Sequence, residues 1–243
     1  MPIKTPPSQH TTTAEKPLLP RQTADLPALL VSVRDALEAQ IALEAGIQLI
    51  DVKDPSAGPL GAAGPEVLHE VAEIVASSSN IHFSAALGEL QTLSERKPPF
   101  LLCPALNFVK IGLSGCRPLP DWKERFRQAQ ERLKPLDGMP GTIAWVAVVY
   151  ADHSECDAPL PEDVLNFAIQ AGCVGLLIDT FTKTGKSTFE FMTVVELFPL
   201  RRLCREKGLF FALAGSIKTE HLALARELEP DVIAVRGAVC AGT

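Results

Sequence analysis

The sequence predicts one (β/α)8 barrel over residues 27–243, and three observations carry that expectation. From Pro27 onward, eight short and nearly continuous apolar runs alternate with seven amphipathic stretches. That alternation is the pattern of a parallel sheet covered on its faces by helices. The repeat is roughly 25 to 30 residues, and eight such units in about 217 residues fit a closed barrel better than an open doubly wound sheet. No G-x-G-x-x-G follows the first run, which weighs against the open dinucleotide-binding alternative.

Ala28–Val33 reads as the first strand, and Asp35–Ala45 as a helix with Ala36, Ile41 and Ala45 turned inward. Gly46 ends that helix before the second strand, Leu49–Lys53. A loop rich in glycine and proline, Pro55 to Gly61, leads to a helix over Pro65–Ser77 with proline in its tolerated first turn. The third strand is His82–Leu87, followed by a weaker helix around Leu93–Cys103 that Pro98-Pro99 interrupts. Then come strand Phe108–Leu113, helix Asp121–Leu133, strand Ile143–Tyr150, helix Glu162–Ala171 and strand Val174–Asp179. Helix Glu190–Lys207, strand Leu209–Ala214, helix Lys218–Leu228 and strand Val232–Arg236 complete the series. Because the sequence runs only seven residues past Arg236, the eighth helix is expected to be missing or vestigial. Residues 1–26, with Pro6-Pro7 and Thr11-Thr12-Thr13, show no apolar periodicity and read as a flexible tail.

At 243 residues and 47% hydrophobic, the chain can bury a sizeable core. No apolar stretch reaches the roughly 18 to 20 residues that span a bilayer, and the N-terminus has no apolar signal core, so a cytoplasmic protein away from membranes is expected. A net charge of −6 argues against coating a nucleic acid. Cys103, Cys116, Cys156, Cys173, Cys204 and Cys240 are scattered without a C-x-x-C pair and read as small buried hydrophobes. The spacing of Asp152, His153 and Cys156 matches no metal motif, so no metal is expected, and no organic cofactor either. Apolar residues on surface helices, beside the uncovered eighth groove, favour self-association into a homo-oligomer.

The ionisable residues gather where a barrel builds its active site, at the C-terminal ends of the strands. Asp51 and Lys53 share strand parity and face one side. Lys110 lies in strand four, Asp152 follows strand five, Asp179 closes strand six, and Lys183 lies in the next loop. Charges at the ends of buried runs are costly unless paired or used. A structural ring of salt bridges is the alternative to a site. Read as a site, the cluster suits imine chemistry. A lysine with its ordinary pKa of about 10.4 is protonated and cannot attack a carbonyl, whereas desolvation and a second ammonium both lower that value. Lys53 beside Lys110 is then expected to be partly neutral at pH 7, with the aspartates, Asp51 on its own strand face among them, orienting lysines, shuttling protons and steadying an iminium. Asp54-Pro55 reads as the turn that ends the strand.

A second signal follows strands seven and eight: Gly215 and Ser216 in the first loop, Arg236 and Gly237 in the second. Loops there are the usual phosphate cradle of this fold, where glycines free backbone N–H groups and an arginine fork grips phosphate. Ordinary glycines at helix caps are the alternative. The residues thus point to amine chemistry on a small phosphorylated aldehyde.

Six segments carry a resemblance, in order and in register from about residue 28 to 240. They are Ile50-Asp51-Val52-Lys53-Asp54-Pro55 with Leu60-Gly61-Ala62, Val109-Lys110-Ile111-Gly112-Leu113, Tyr150-Ala151-Asp152, and Leu177-Ile178-Asp179-Thr180 with Lys183, Gly185 and Lys186. The last two are Ala212-Leu213-Ala214-Gly215-Ser216-Ile217-Lys218 and Val235-Arg236-Gly237-Ala238. In these the chain resembles the (5-formylfuran-3-yl)methyl phosphate synthase family, which makes the furan precursor of methanofuran. The resemblance implies a lyase that condenses two glyceraldehyde 3-phosphate molecules into one furan phosphate, with loss of phosphate and water. It places the Schiff-base nucleophile on Lys53 and the general acid/base on Lys110, and it matches Asp51, Asp179 and Lys183 to further active-site positions. The proline-rich tail lies outside the family pattern, and the family's C-terminal helix after the Arg-Gly-Ala segment has no counterpart. A class I aldolase-type barrel acting on another sugar phosphate, or a non-catalytic barrel that binds a phosphorylated ligand, are the competing expectations.

Overall fold

The computed structural model describes Leu19 and residues 26–93, 105–133 and 143–239. Most of the expected tail, the helix beyond Leu93, Cys103 and Cys240 lie outside these described residues. Eight parallel strands close into a barrel in chain order: β1 (Ala28–Val33), β2 (Leu49–Val52), β3 (His82–Glu89), β4 (Leu106–Gly112), β5 (Ala144–Tyr150), β6 (Gly175–Asp179), β7 (Phe210–Leu213) and β8 (Val232–Val235). The ring shuts where β1 pairs with β8, with Leu30 opposite Ala234.

Helices α1 (Ala36–Glu44), α2 (Pro65–Ala76), α3 (Leu90–Leu93), α4 (Trp122–Arg132), α5 (Pro161–Gln170), α6 (Thr188–Phe191), α7 (Val194–Glu206) and α8 (Leu222–Leu228) lie between the strands. Local chemistry sets their ends. The Asp35 carboxylate caps α1 by accepting the Glu38 N–H, and Gly46, at φ +84°, turns the chain out of it. α2 and α5 each begin with proline, whose missing N–H costs nothing in the first turn. The single helix expected over Glu190–Lys207 is two. Thr193 takes an extended conformation and exchanges hydrogen bonds with Glu196, so a new helix starts there. The helix expected from Lys218 opens with a 3-10 turn at Thr219–His221. After β8, residues 236–239 form a turn, with no helix among the described residues there.

α1 departs from expectation in its facing. It packs through Ala39 and Ala42, and Ile41 stays 57% exposed. Alanines let the helix approach the strands closely, which an isoleucine at the contact would prevent.

Strand parity divides the apolar residues into two cores. Val31, Val33, Ile50, Phe83, Val109, Ile111, Ala147 and Ile178 face outward against the helices. Leu30, Leu49, Phe108, Val146, Leu177, Ala212 and Val232 fill the barrel interior, and Leu19 packs against them. Cys116, Cys156, Cys173 and Cys204 are free and buried. Burial pushes the thiols of Cys116, Cys156 and Cys204 up to about 12, so they serve as packing groups. Among the described residues no helix is long and apolar enough to cross a membrane.

Candidate active site

Toward the C-terminal ends of the strands the interior turns polar. Register places Ser32, Asp51 and Ser84 side by side on β1, β2 and β3. All three are buried, as is Lys110 on β4. The Asp51 carboxylate, with no solvent exposure, accepts hydrogen bonds from Ser32 Oγ at 3.0 Å and Ser84 Oγ at 2.8 Å. Lys110 Nζ forms an ion pair with the Ser84-bonded oxygen and also reaches Ser84 Oγ at 3.4 Å.

Each charge in this layer is therefore satisfied by neighbours rather than water, as a buried ion pair requires. Burial is the largest influence on Lys110 and pushes its pKa down. Asp51 opposes that shift, the Lys53 ammonium adds to it, and Asp179 opposes it.

Asp51 and Lys53 share parity, but the Asp51 side chain reaches Lys110 rather than Lys53. Lys53, half-buried just past β2, donates instead to the Pro59 carbonyl at 3.2 Å. The loop offering that carbonyl is fixed locally. Asp54 Oδ1 caps the 3-10 turn Pro55–Ala57 by accepting Ser56 N–H and Oγ–H, which makes Asp54 structural as expected. Gly61 closes the loop: a Cβ there would stand 2.1 Å from the Asp54 carbonyl oxygen.

Asp179 closes β6, buried, with Oδ1 accepting its neighbour's Thr180 N–H at 2.8 Å. Lys183 Nζ donates to the Thr180 carbonyl at 3.0 Å. Burial is the largest influence on Lys183 and lowers its pKa; Asp179 opposes the shift, Lys53 adds to it, and Asp152 opposes it. Lys110 and Lys183 thus each feel both Lys53 and Asp179. Asp152 is not a free member of this group. Its two oxygens accept Phe181 N–H, Thr182 N–H and Thr182 Oγ1–H, so it holds the loop that presents Lys183.

In the loop after β7, Gly215 (φ +83°) and Ser216 (φ +53°) are both left-handed. Glycine is required at 215, since a Cβ would lie 2.2 Å from Thr188 Oγ1 and 2.9 Å from Thr180 Cγ2. Thr188 also binds the loop's carbonyls, its N–H donating to Gly215 O and its hydroxyl to Ala214 O. A turn can present successive N–H groups as a concavity suited to anions. Arg236 does not stand open beside it. Its guanidinium bonds Glu38 Oε2 at 2.7 Å and the Ser32 carbonyl at 3.0 Å. Gly237 lies in an exposed turn where a side chain would meet nothing.

Four residues in this region lie outside the set expected from the sequence. Ser32 and Ser84 are small hydroxyls in otherwise apolar runs, and their inward parity was the available signal. Glu89 and Tyr150 form a hydrogen bond of 2.6 Å across the mouth.

Compared with known proteins, residues 29–243 match the family model described as 4-HFC-P synthase. The (5-formylfuran-3-yl)methyl phosphate synthase of Archaeoglobus fulgidus is 32% identical over 221 residues, covering 88% of this chain and 91% of that one. The chain belongs to this family. The synthase of the same name from Methanosarcina acetivorans is 35% identical over 221 residues, with the same coverage. Among solved structures, the phosphoribosyl anthranilate isomerase of Thermus thermophilus superposes with a TM-score of 0.55 at 14% identity, covering 88% of this chain and 89% of that one. The thiamine phosphate pyrophosphorylase of Pyrococcus furiosus does so with a TM-score of 0.56 at 15% identity, covering 88% and 87%. At such identities these two speak for the barrel alone. The family's relatives are named as synthases, so this furan phosphate synthase family member is an enzyme.

Proposed function

We propose that the chain condenses two molecules of glyceraldehyde 3-phosphate into (5-formylfuran-3-yl)methyl phosphate through a Schiff base on Lys53. The observation that carries this reading is the unequal placement of two lysines in one mouth. Lys110 is buried and ion-paired, whereas Lys53 is half-buried and, among the described residues, hydrogen-bonded to a single carbonyl. A nucleophile must reach an incoming carbonyl carbon, and Lys53 has that freedom. A proton-transfer group must sit at a fixed place, and Lys110, held by Asp51 and with its pKa lowered by burial, answers that need.

Lys53 Nζ adds to the aldehyde of one triose phosphate and water leaves, giving an iminium. Loss of the proton on the adjacent carbon, with Lys110 as the acid/base, gives an enamine. That enamine attacks the second aldehyde, forming the carbon–carbon bond. Elimination of phosphate, ring closure, dehydration and hydrolysis of the imine, which restores the aldehyde and frees Lys53, then produce the furan. Asp51 holds Lys110, and Asp179 with Lys183 supports the charges that develop beside the iminium. A substrate phosphate is placed on the Gly215–Ser216 backbone, with Arg236 and Gly237 at the adjoining loop. Because Arg236 already binds Glu38, a phosphate there shares the guanidinium rather than finding it open.

The test is incubation of the protein with glyceraldehyde 3-phosphate alone. The reading expects an ultraviolet band of a formylfuran to grow, together with release of inorganic phosphate. Borohydride-trapped triose without any furan would point instead to an aldolase-type reaction on another sugar phosphate.

A further inference from the structure

One carboxylate in the mouth has no cation beside it among the described residues. Glu89 ends β3 and is half-buried. Its Oε1 accepts the Tyr150 hydroxyl at 2.6 Å, and its Oε2 accepts the Ser114 N–H at 2.9 Å. Of the other acidic groups of the site, Asp51 is ion-paired with Lys110, Asp152 holds a loop through three hydrogen bonds, and Asp179 accepts the Thr180 N–H at the end of β6 and lies near Lys110 and Lys183.

The backbone is arranged to put Glu89 there. Inward positions on β3 are Ser84 and Ala86, so regular alternation would turn residue 89 outward. Between Ala86 and Glu89 the pairing with β4 slips, and Gly88 adopts φ +87°. Bulges of this kind re-aim side chains beside active sites. Here the slip turns Glu89 over the strand that carries Lys110. Gly112, two residues beyond Lys110 and on the same face, leaves the room: a Cβ there would lie 2.2–2.4 Å from the Glu89 carboxylate. The carboxylate thus occupies the inward place next along β4 from the Lys110 side chain.

Tyr150 has no solvent exposure and packs edge-on against Phe181, with ring centroids 5.4 Å apart. Its register partner is Asp179. Burial is the largest of the influences that raise its pKa well above the ordinary value; Glu89 and Asp179 act in the same direction, so the phenol remains a hydrogen-bond donor. Two donors, one from each side, fix the plane of the Glu89 carboxylate and leave a lone pair on each oxygen.

The furan-forming reading needs such a group. Making the enamine removes one C–H proton beside the Lys53 iminium, but aromatising the ring removes further protons from other carbons. A single ion-paired lysine serves one end of a six-carbon intermediate. Resting on that reading, we propose that Glu89 is a second proton-transfer group, which accepts the C–H proton in the dehydration that aromatises the ring, with Tyr150 as the residue that aims it. In that step the C–H bond breaks toward a Glu89 oxygen and its electron pair becomes the ring double bond. The neighbouring hydroxyl departs with a proton from the Lys110 ammonium, as water.

Glu89→Gln tests this, with Tyr150→Phe and Glu89→Asp beside it, each checked for folding by thermal melting. Glutamine keeps size and hydrogen bonding but cannot take the proton. The expected result is furan formation lowered about a hundredfold or more, while borohydride still traps substrate carbon on Lys53 at the wild-type level. The trapped material should shift to a six-carbon adduct at least one water heavier than the furan. Tyr150→Phe, which leaves the carboxylate in place, is expected to lower kcat about tenfold with KM unchanged, and Glu89→Asp to recover part of the rate. Furan formation by Glu89→Gln within twofold of wild type overturns the proposal, and so does a parallel loss of trapping and furan, which would mark a purely structural role. A wild type that makes no furan removes the parent reading and this proposal together; a wild type and Glu89→Gln that make it equally remove this proposal alone.

Discussion

Lys53 and Lys110 lie on neighbouring parts of one mouth and differ in nearly every physical respect. Lys110 is 5% exposed, bound to a carboxylate with no exposure, and flanked by a serine hydroxyl. Lys53 sits past the strand end, half-buried, on a loop carbonyl. Strand register does not separate them, since Lys110 pairs with Ala86, two residues beyond Ser84, just as Lys53 lies two residues beyond Asp51; the difference is that the Lys110 side chain reaches the buried Asp51 while Lys53 has left the strand for a loop carbonyl. A buried paired amine can hold or move a proton at a fixed point. An amine tethered by one carbonyl can leave it to bond carbon. Division of labour between two lysines thus follows from depth.

Changes at each lysine should break the comparison in different ways. Lys53→Arg keeps the charge but removes the nucleophile, so borohydride trapping should vanish and turnover fall by about 10^4 or more, read by labelled-substrate incorporation and furan absorbance. Lys110→Ala should keep the trap and lose turnover by about 10^2 to 10^4, because only proton transfer is lost. Full turnover in that variant would end the assignment of Lys110. Asp51→Ala tests the depth argument itself. Removing one partner of a buried pair leaves an unpaired ammonium, at a cost of about 3 to 5 kcal/mol in urea unfolding. The same substitution at the turn-capping Asp54 should cost only about 1 kcal/mol.

The smallest expected effect is electrostatic. Lys53 helps to lower the pKa of both Lys110 and Lys183. Removing its charge in Lys53→Met favours retention of their protons, so both should titrate at higher pH than in the wild type. Nitrogen-detected NMR of the lysine ammonium groups would show the shift, and unchanged titrations would mean that the three amines are farther apart electrically than the structure places them.

Much of this was legible in the sequence, for identifiable reasons. Eight apolar runs with helical stretches between them leave few ways to bury both faces of each strand, so the barrel and the gathering of Lys53, Lys110, Asp179 and Lys183 at one end follow from pattern and parity. Four things did not follow. Parity put Asp51 and Lys53 on one face but could not show that a lysine from β4 reaches Asp51 first, because that contact joins residues 59 apart in sequence. Hydrophobicity pointed to Ile41 as the inward residue of α1, yet close packing favours Ala39 and Ala42. Glu89 was hidden because a slip in strand pairing reverses its face, and such a slip leaves only a glycine, Gly88, as its mark in the sequence. Arg236 was expected at a phosphate from its place after the eighth strand, and sequence distance concealed Glu38, its partner 198 residues earlier.

The central claim is that Lys53 carries the substrate carbon. Borohydride reduction in the presence of glyceraldehyde 3-phosphate, followed by proteolysis and mass spectrometry, tests it directly. A single triose-derived adduct on the peptide containing Lys53 is the predicted result. An adduct on Lys110 or Lys183 instead, or one that persists undiminished in Lys53→Arg, would contradict the account.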